Sequence, residues 1–131
     1  MKFLDTDIIS YYFNGNEKIQ EKLLEMVDYD ENICITVINT YEILKGFKWE
    51  NNIKKETQFK EFLEDVSEFS IDDGVINIAS DIYAKLRKKG KTISDADILI
   101  AAIVIKNNGI LITNNIMHYD SIEQLRIENW I

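Results

Sequence analysis

The stretch from Ser94 to Lys106 constrains the fold more than any other part of the chain. Eight apolar residues, Ile98 to Ile105, follow one another without a break, whereas a helix on the surface of a globular protein shows a single apolar stripe. The segment is far shorter than the roughly 20 residues that cross a bilayer. It therefore predicts a helix through the middle of the protein, with Ser94 as N-cap, Asp97 at the third helical position and Gly109 as the stop.

Two carboxylates, Asp95 and Asp97, lie in the first turn of this predicted helix. The helix dipole and the free N–H groups stabilise negative charge there, so capping alone would account for both. Successive helical residues differ by about 100°, which points the two side chains about 200° apart. If the helix meets a site, we expect Asp97 to face it. Asp95 is then a solvated cap or a group that reaches the site through water.

The composition is that of a globular protein, and we expect one domain over residues 1–131. The net charge of −8 argues against a protein that binds nucleic acid by charge alone, but not against an enzyme that binds nucleic acid through a metal ion. We find no signal peptide and no transmembrane segment, and expect no membrane association. The single cysteine, Cys34, is predicted to be a buried strand thiol, which favours a cytoplasmic location.

Short β-type runs alternate with helical patterns along the chain. The predicted strands cover residues 2–4, 33–38, 69–71, 110–113 and 125–127, and the predicted helices cover 17–27, 54–66, 74–89 and 94–106, with two more after residues 7 and 39. This alternation predicts an α/β fold whose parallel sheet is covered by helices on both faces.

Polar residues follow several of the predicted strands. Asp5 follows the first strand, Glu42 opens the helix after the second, and Asn115 follows the fourth. In open α/β sheets, ligands bind beyond the carboxyl ends of the strands. We therefore expect these residues and Asp97 to meet at one edge of the sheet. Each also has a local explanation, and Glu42 in particular would complete a capping box with Asn39.

Such a cluster would bind protons or a cation, because no lysine or arginine separates its carboxylates. Oxygen-only ligands favour Mg²⁺ or Mn²⁺ over zinc, and His118, the only histidine, is expected on the surface. A carboxylate-held ion activates water and stabilises charge on a phosphoryl oxygen, which predicts phosphodiester hydrolysis. No glycine-rich phosphate loop is present, so nucleoside triphosphate hydrolysis is disfavoured.

Five short motifs carry a family resemblance. They are Leu-Asp-Thr-Asp at 4–7, Tyr-Glu-Ile-Leu-Lys-Gly at 41–46, Asp-Ala-Asp-Ile-Leu-Ile-Ala-Ala at 95–102, Leu-Ile-Thr-Asn-Asn at 111–115 and Leu-Arg-Ile-Glu-Asn-Trp at 125–130. In this order and spacing they resemble the PIN-domain ribonucleases, and most of all the VapC toxins of toxin–antitoxin pairs. The resemblance covers the whole chain.

The resemblance implies a three-layer α/β/α sandwich and a Mg²⁺-dependent endoribonuclease with Asp5, Glu42 and Asp97 as its metal-binding and catalytic acids. It also implies an RNA substrate, a homodimer and an antitoxin whose peptide masks the acidic cleft. Many relatives carry an aspartate where Asn115 stands, and others carry asparagine. The candidate secondary site residues are Asp95, Asn115, Thr6 and Thr113.

Two other functions remain open from the sequence. Asp5-Thr6-Asp7 after a strand resembles the nucleophile motif of haloacid-dehalogenase-type phosphatases. A non-catalytic PIN-like binding domain, in which the acids only cap helices, is the other alternative.

The aromatic residues Phe47, Trp49, Phe59 and Phe62 lie on a predicted helical hairpin. Aromatic patches of this kind often mark partner surfaces. Ordinary core packing would explain the same residues.

Overall fold

The computed structural model describes residues 1–131 and contains one five-stranded, all-parallel sheet. Its strands are β1 (Lys2–Leu4), β2 (Ile33–Thr36), β3 (Ser67–Phe69), β4 (Ile110–Ile112) and β5 (Arg126–Glu128), in the order β3-β2-β1-β4-β5. Its helices are α1 (Thr6–Phe13), α2 (Glu17–Asp28), α3 (Val37–Trp49), α4 (Ile53–Glu64), α5 (Asp73–Lys88), α6 (Asp95–Lys106) and α7 (Ile116–Tyr119). The predicted α/β fold is confirmed, although α7 was not predicted.

Both faces of the sheet are buried. Successive strand residues point to opposite sides of the sheet, and the side chains on each side pack into a separate core. Phe3 belongs to a core that includes residues of α5, α6 and α7, while the next residue, Leu4, belongs to a second core with α1 to α4. The pair Leu111 and Ile112 of β4 divides in the same way. The result is the expected three-layer sandwich. No helix is both long and apolar enough to cross a membrane.

Helix α6 is buried almost all round, as its apolar run predicts, with Ile98 and five of the next six residues inside the protein. The Ser94 side chain accepts a hydrogen bond from the Asp97 backbone N–H at 3.2 Å, so the predicted cap is also confirmed. The predicted stop is wrong in its mechanism. Asn108, with φ of 52°, takes the left-handed conformation after the helix, and Gly109 instead lies against the Phe3 ring.

The start of α3 differs from the prediction. Strand β2 ends at Thr36 and the helix begins at Val37, so Asn39 lies inside the helix and is not its cap. Thr36 accepts a bond from the Asn39 N–H at 3.2 Å, and the Asn39 side chain accepts one from the Thr36 N–H at 2.9 Å. This buried capping box pairs the backbone N–H groups of Thr36 and Asn39, and the helix begins at Val37 despite the β propensity of Val37 and Ile38.

The start of α1 also differs from the prediction, because Asp5 caps the helix and not Thr6 or Asp7. In α2, Leu24 and Val27 were predicted to point inward, but each is 62% exposed. Met26 is buried in their place, because it continues the helical face of the buried residues on the preceding turns. Strand β3 begins two residues earlier than predicted.

The aromatic residues of the α3–α4 hairpin are mostly accounted for by packing. Phe59 is fully buried, and Phe47 and Phe62 pack with it around Phe13. Trp49 and Tyr41, both on α3, are the exceptions, since they are 88% and 62% exposed.

Gly109→Ala should destabilise the protein by about 1–3 kcal/mol, because a Cβ there would lie 2.6 Å from the ring of the fully buried Phe3. Gly46→Ala is the matched control. No atom lies within 4 Å of its Cβ position in α3, so alanine should raise stability by about 0.5–1 kcal/mol. Chemical denaturation of both variants measures the difference, and equal stabilities would contradict the packing described here.

Candidate active site

The strand order places a candidate site at the carboxyl edge of the sheet, between β1 and β4. The chain runs from β1 outward to β2 and β3 on one side, and β4 and β5 lie on the other side of β1. Open α/β sheets bind ligands at such a switch point. The residues that follow these two central strands are Asp5 and Thr113, and both are buried.

Asp5 lies at the centre of this site with only 3% of its surface exposed. Its Oδ1 accepts a hydrogen bond from the Thr6 backbone N–H at 2.9 Å, and the side-chain amide of Asn39 lies 3.5 Å away. Its Oδ2 accepts a hydrogen bond from the Thr113 hydroxyl at 2.8 Å. Residues that follow three different strands therefore hold this one carboxylate in place.

The pKa of Asp5 is raised to about 6, mainly by burial and also by the charges of Asp7 and Asp97, although the hydrogen bonds from Thr113 and Thr6 lower it. Burial also raises the pKa of Asp7, whose Oδ2 accepts a bond from the Asn114 N–H at 2.9 Å. The electrostatic cost of this cluster would fall if a cation were present.

Asp97 reaches the site from the first turn of α6. Its Oδ1 accepts a hydrogen bond from the Tyr119 hydroxyl at 3.1 Å, and its Oδ2 lies 3.3 Å from Nδ1 of His118. Its side chain is 20% exposed, whereas Asp95 is an exposed residue. The charge of Asp97, and not that of Asp95, raises the pKa of Asp5, which supports the helical phase inferred from the sequence.

Glu42 lies in the second turn of α3, where it caps nothing. Its Oε1 accepts a hydrogen bond from the Thr6 hydroxyl at 2.7 Å, and that hydroxyl accepts one from the Asn39 amide at 3.0 Å. The capping-box explanation for Glu42 is therefore wrong. Its carboxylate is joined to Asp5 through Thr6 and Asn39.

The structure does not bring every candidate together. Asn115 is exposed, and its backbone N–H, not its side chain, contacts the site by bonding the Thr113 hydroxyl at 3.0 Å. No group of three His, Cys, Asp or Glu side chains stands ready to hold a metal ion. What the residues offer is a suitable donor chemistry, because their ligating atoms are all oxygen and no lysine or arginine pairs with Asp5, Glu42 or Asp97.

Sequence reasoning missed several members of the site. Tyr119 is 1% exposed and its hydroxyl bonds Asp97, but nothing in the sequence separates it from an ordinary core aromatic residue. His118 is exposed as predicted, yet it touches Asp97. Asn39 could have been identified from the sequence, because it lies three residues after Thr36, which is the spacing of a capping box.

A protein-family model described as PIN domain matches residues 2–121 of the chain. Among characterised proteins, the chain is 32% identical to Ribonuclease VapC2 of Rickettsia felis, over 97% of this chain and 96% of that protein. It is 33% identical to Ribonuclease VapC3 of Methanocaldococcus jannaschii, over 76% of this chain and 94% of that protein.

Solved structures show the same fold. The chain superposes on VapBC2 from Rickettsia felis, crystallised with a DNA fragment from its promoter, with a TM-score of 0.85 and 28% identity. That match covers 99% of this chain and 98% of the other. VapBC-1 from nontypeable Haemophilus influenzae gives a TM-score of 0.86 at 25% identity, over 98% of this chain and 97% of the other.

Asp5→Asn should stabilise the metal-free protein at pH 8. The native state raises the pKa of Asp5 from 3.8 to about 6. The contribution of the Asp5 carboxyl group to the free energy of unfolding is therefore fully present below pH 3.8 and is lost as the pH rises through 6. A shift of this size corresponds to about 1–3 kcal/mol. Denaturation in EDTA should therefore show a loss of wild-type stability between pH 4 and pH 7 that the variant lacks in large part. Identical pH profiles for the two proteins would refute the effect.

Proposed function

This chain belongs to the PIN-domain family, and we propose that it is a VapC-type endoribonuclease, the toxin of a toxin–antitoxin pair, acting as one domain over residues 1–131. One observation carries the proposal. A buried aspartate, Asp5, lies next to a second acid, Asp97, at the switch point of the sheet, with no lysine or arginine paired to either. The similarity of the whole chain to proteins named Ribonuclease VapC supports it.

The family is generally dependent on divalent metal ions, and we propose Mg²⁺ or Mn²⁺ for this chain because the donors are oxygen atoms. The residues that would hold the ion are Asp5, Glu42 and Asp97. When bound, such an ion supplies Lewis-acid activation of water and stabilises negative charge on a phosphoryl oxygen.

The protein's own groups prepare this site by orienting its acids. Thr113 and the Thr6 backbone N–H hold the two oxygens of Asp5, and the Thr6 hydroxyl holds Glu42. Without a cation, the cluster would repel an RNA phosphate. Cleavage should therefore depend strictly on the divalent ion.

The geometry disfavours both alternative functions. A phosphatase of the haloacid-dehalogenase type would need a lysine beside its acids, and none pairs with Asp5 or Asp7 here. A binding domain whose acids only cap helices is disfavoured because Glu42 caps nothing and the Asp97 side chain bonds Tyr119.

We propose an antitoxin protein and a second copy of this chain as partners, with RNA as substrate. The solved relatives are VapBC complexes and other toxin–antitoxin assemblies, which supports the antitoxin. The aromatic evidence for a homodimer is weaker than the sequence indicated, since only Trp49 of the four predicted residues Phe47, Trp49, Phe59 and Phe62 is largely exposed. Residence in the cytoplasm remains a prediction from the sequence.

The central experiment compares two aspartates of one helix. Asp97→Asn should abolish Mg²⁺-dependent cleavage of a single-stranded or stem-loop RNA, because Asp97 lies beside Asp5. Asp95→Asn is the matched control: it removes the same charge from an exposed position two residues away, and its cleavage should fall by about 100-fold at most. Gel assays with and without EDTA give the rates.

Circular dichroism should first show that both variants fold. Full activity of Asp97→Asn, or cleavage by the wild type in EDTA, would reject the proposed metal site. An inactive Asp95→Asn beside an active Asp97→Asn would move the site to the other face of α6.

The homodimer is tested by analytical ultracentrifugation of the purified chain across micromolar concentrations. We expect a species of twice the 15.3 kDa chain mass. We expect Trp49→Ala to weaken association, because exposed aromatic residues are enriched at such contacts. A strictly monomeric wild type would refute the homodimer and leave the proposed activity untouched.

A further inference from the structure

Tyr119 combines a core position with a polar contact that core packing does not require. Its ring belongs to the core on the Phe3 side of the sheet, and the residue is 1% exposed. A phenylalanine would fill the same space. The hydroxyl, however, donates a hydrogen bond to Oδ1 of Asp97 at 3.1 Å.

The hydroxyl lies in the field of two carboxylates. Burial raises the pKa of Tyr119 far above its ordinary value, and the charges of Asp5 and Asp97 raise it further. A carboxylate accepts hydrogen bonds and cannot donate them, so the Tyr119 hydroxyl supplies Asp97 with a donor that the carboxylate of Asp5 does not.

Helix α7 holds both oxygens of Asp97 through consecutive residues. Tyr119 bonds Oδ1, and Nδ1 of His118 lies 3.3 Å from Oδ2. The two contacts differ in how firmly they are anchored, because Tyr119 is fixed by the core while the His118 side chain is 57% exposed. The buried contact is thus the one that can fix the orientation of the Asp97 carboxylate.

We propose that Tyr119 is a positioning residue, whose hydroxyl holds the Asp97 carboxylate beside Asp5 in the orientation that receives a divalent cation. This inference rests on the proposed function and adds a residue to its site. A carboxylate fixed before the ion arrives loses less side-chain freedom on binding. Groups that hydrogen-bond a metal ligand typically account for about 10–100-fold in metal affinity.

Tyr119→Phe isolates the hydroxyl, because it leaves the buried ring in place. In isothermal titration of the metal-free, full-length chain with MnCl₂, we expect the variant to bind about 10–100-fold more weakly than the wild type. Tyr83→Phe is the matched control: that ring is 50% exposed and lies 6.0 Å from the Arg87 guanidinium, so Mn²⁺ affinity should be unchanged.

Cleavage assays separate positioning from a structural defect. For Tyr119→Phe, the Mn²⁺ concentration that gives half-maximal RNA cleavage should rise by the same factor as the dissociation constant, and saturating Mn²⁺ should restore most of the rate. A merely destabilised protein would lose rate at every metal concentration, and that outcome would count against the proposal.

A measurement on the wild type does not depend on the folding of any variant. Because the Tyr119 hydroxyl lies against Asp97, Mg²⁺ binding should change the near-ultraviolet absorption of a tyrosine. The absence of such a change in a protein that binds Mg²⁺ would overturn the proposal, as would Mn²⁺ affinity within twofold of wild type for Tyr119→Phe. A wild type that binds no divalent ion would instead overturn the proposed function itself.

Discussion

The burial of Asp5 is the constraint on which the site depends. The carboxylate is 3% exposed, its pKa is raised to about 6, and two further aspartates add to its unfavourable environment. A group in this position destabilises the ionised protein unless hydrogen bonds and a cation offset the cost. Thr113 and Thr6 supply the hydrogen bonds. No lysine or arginine side chain pairs with these acids to supply a positive charge.

The rest of the fold can be understood as the support for this one carboxylate. Strands β1 and β4 pair in parallel, which places Asp5 and Thr113 side by side at their carboxyl ends. Helix α6 carries Asp97 to the same edge from inside the core, where its apolar surroundings fix the helix firmly. The buried carboxylate that the proposed function needs therefore lowers the stability of the native state. The proposed cation would offset this loss by binding the native state.

Helix α3 shows how a buried polar pair can override local propensity. The run from Ile33 to Ile38 is β-branched except for Cys34 and favours a strand throughout, yet the chain forms a helix after Thr36. The reason is the capping box between Thr36 and Asn39, which satisfies buried backbone groups. The same Asn39 amide reaches the Thr6 hydroxyl and approaches Asp5, so one side chain both starts a helix and supports the site.

The sequence by itself determined the α/β class, the buried helix α6 and the acids that follow the strands, because all of these depend on local periodicity and on the direction of parallel strands. The different directions of the Asp95 and Asp97 side chains could also be predicted from the sequence, since they follow from helix geometry. Only the tertiary structure decided that Tyr119 meets Asp97 and that Glu42 meets Thr6. These contacts join residues 22 and 36 positions apart, and their distances depend on how the helices pack against the sheet, which no local pattern specifies.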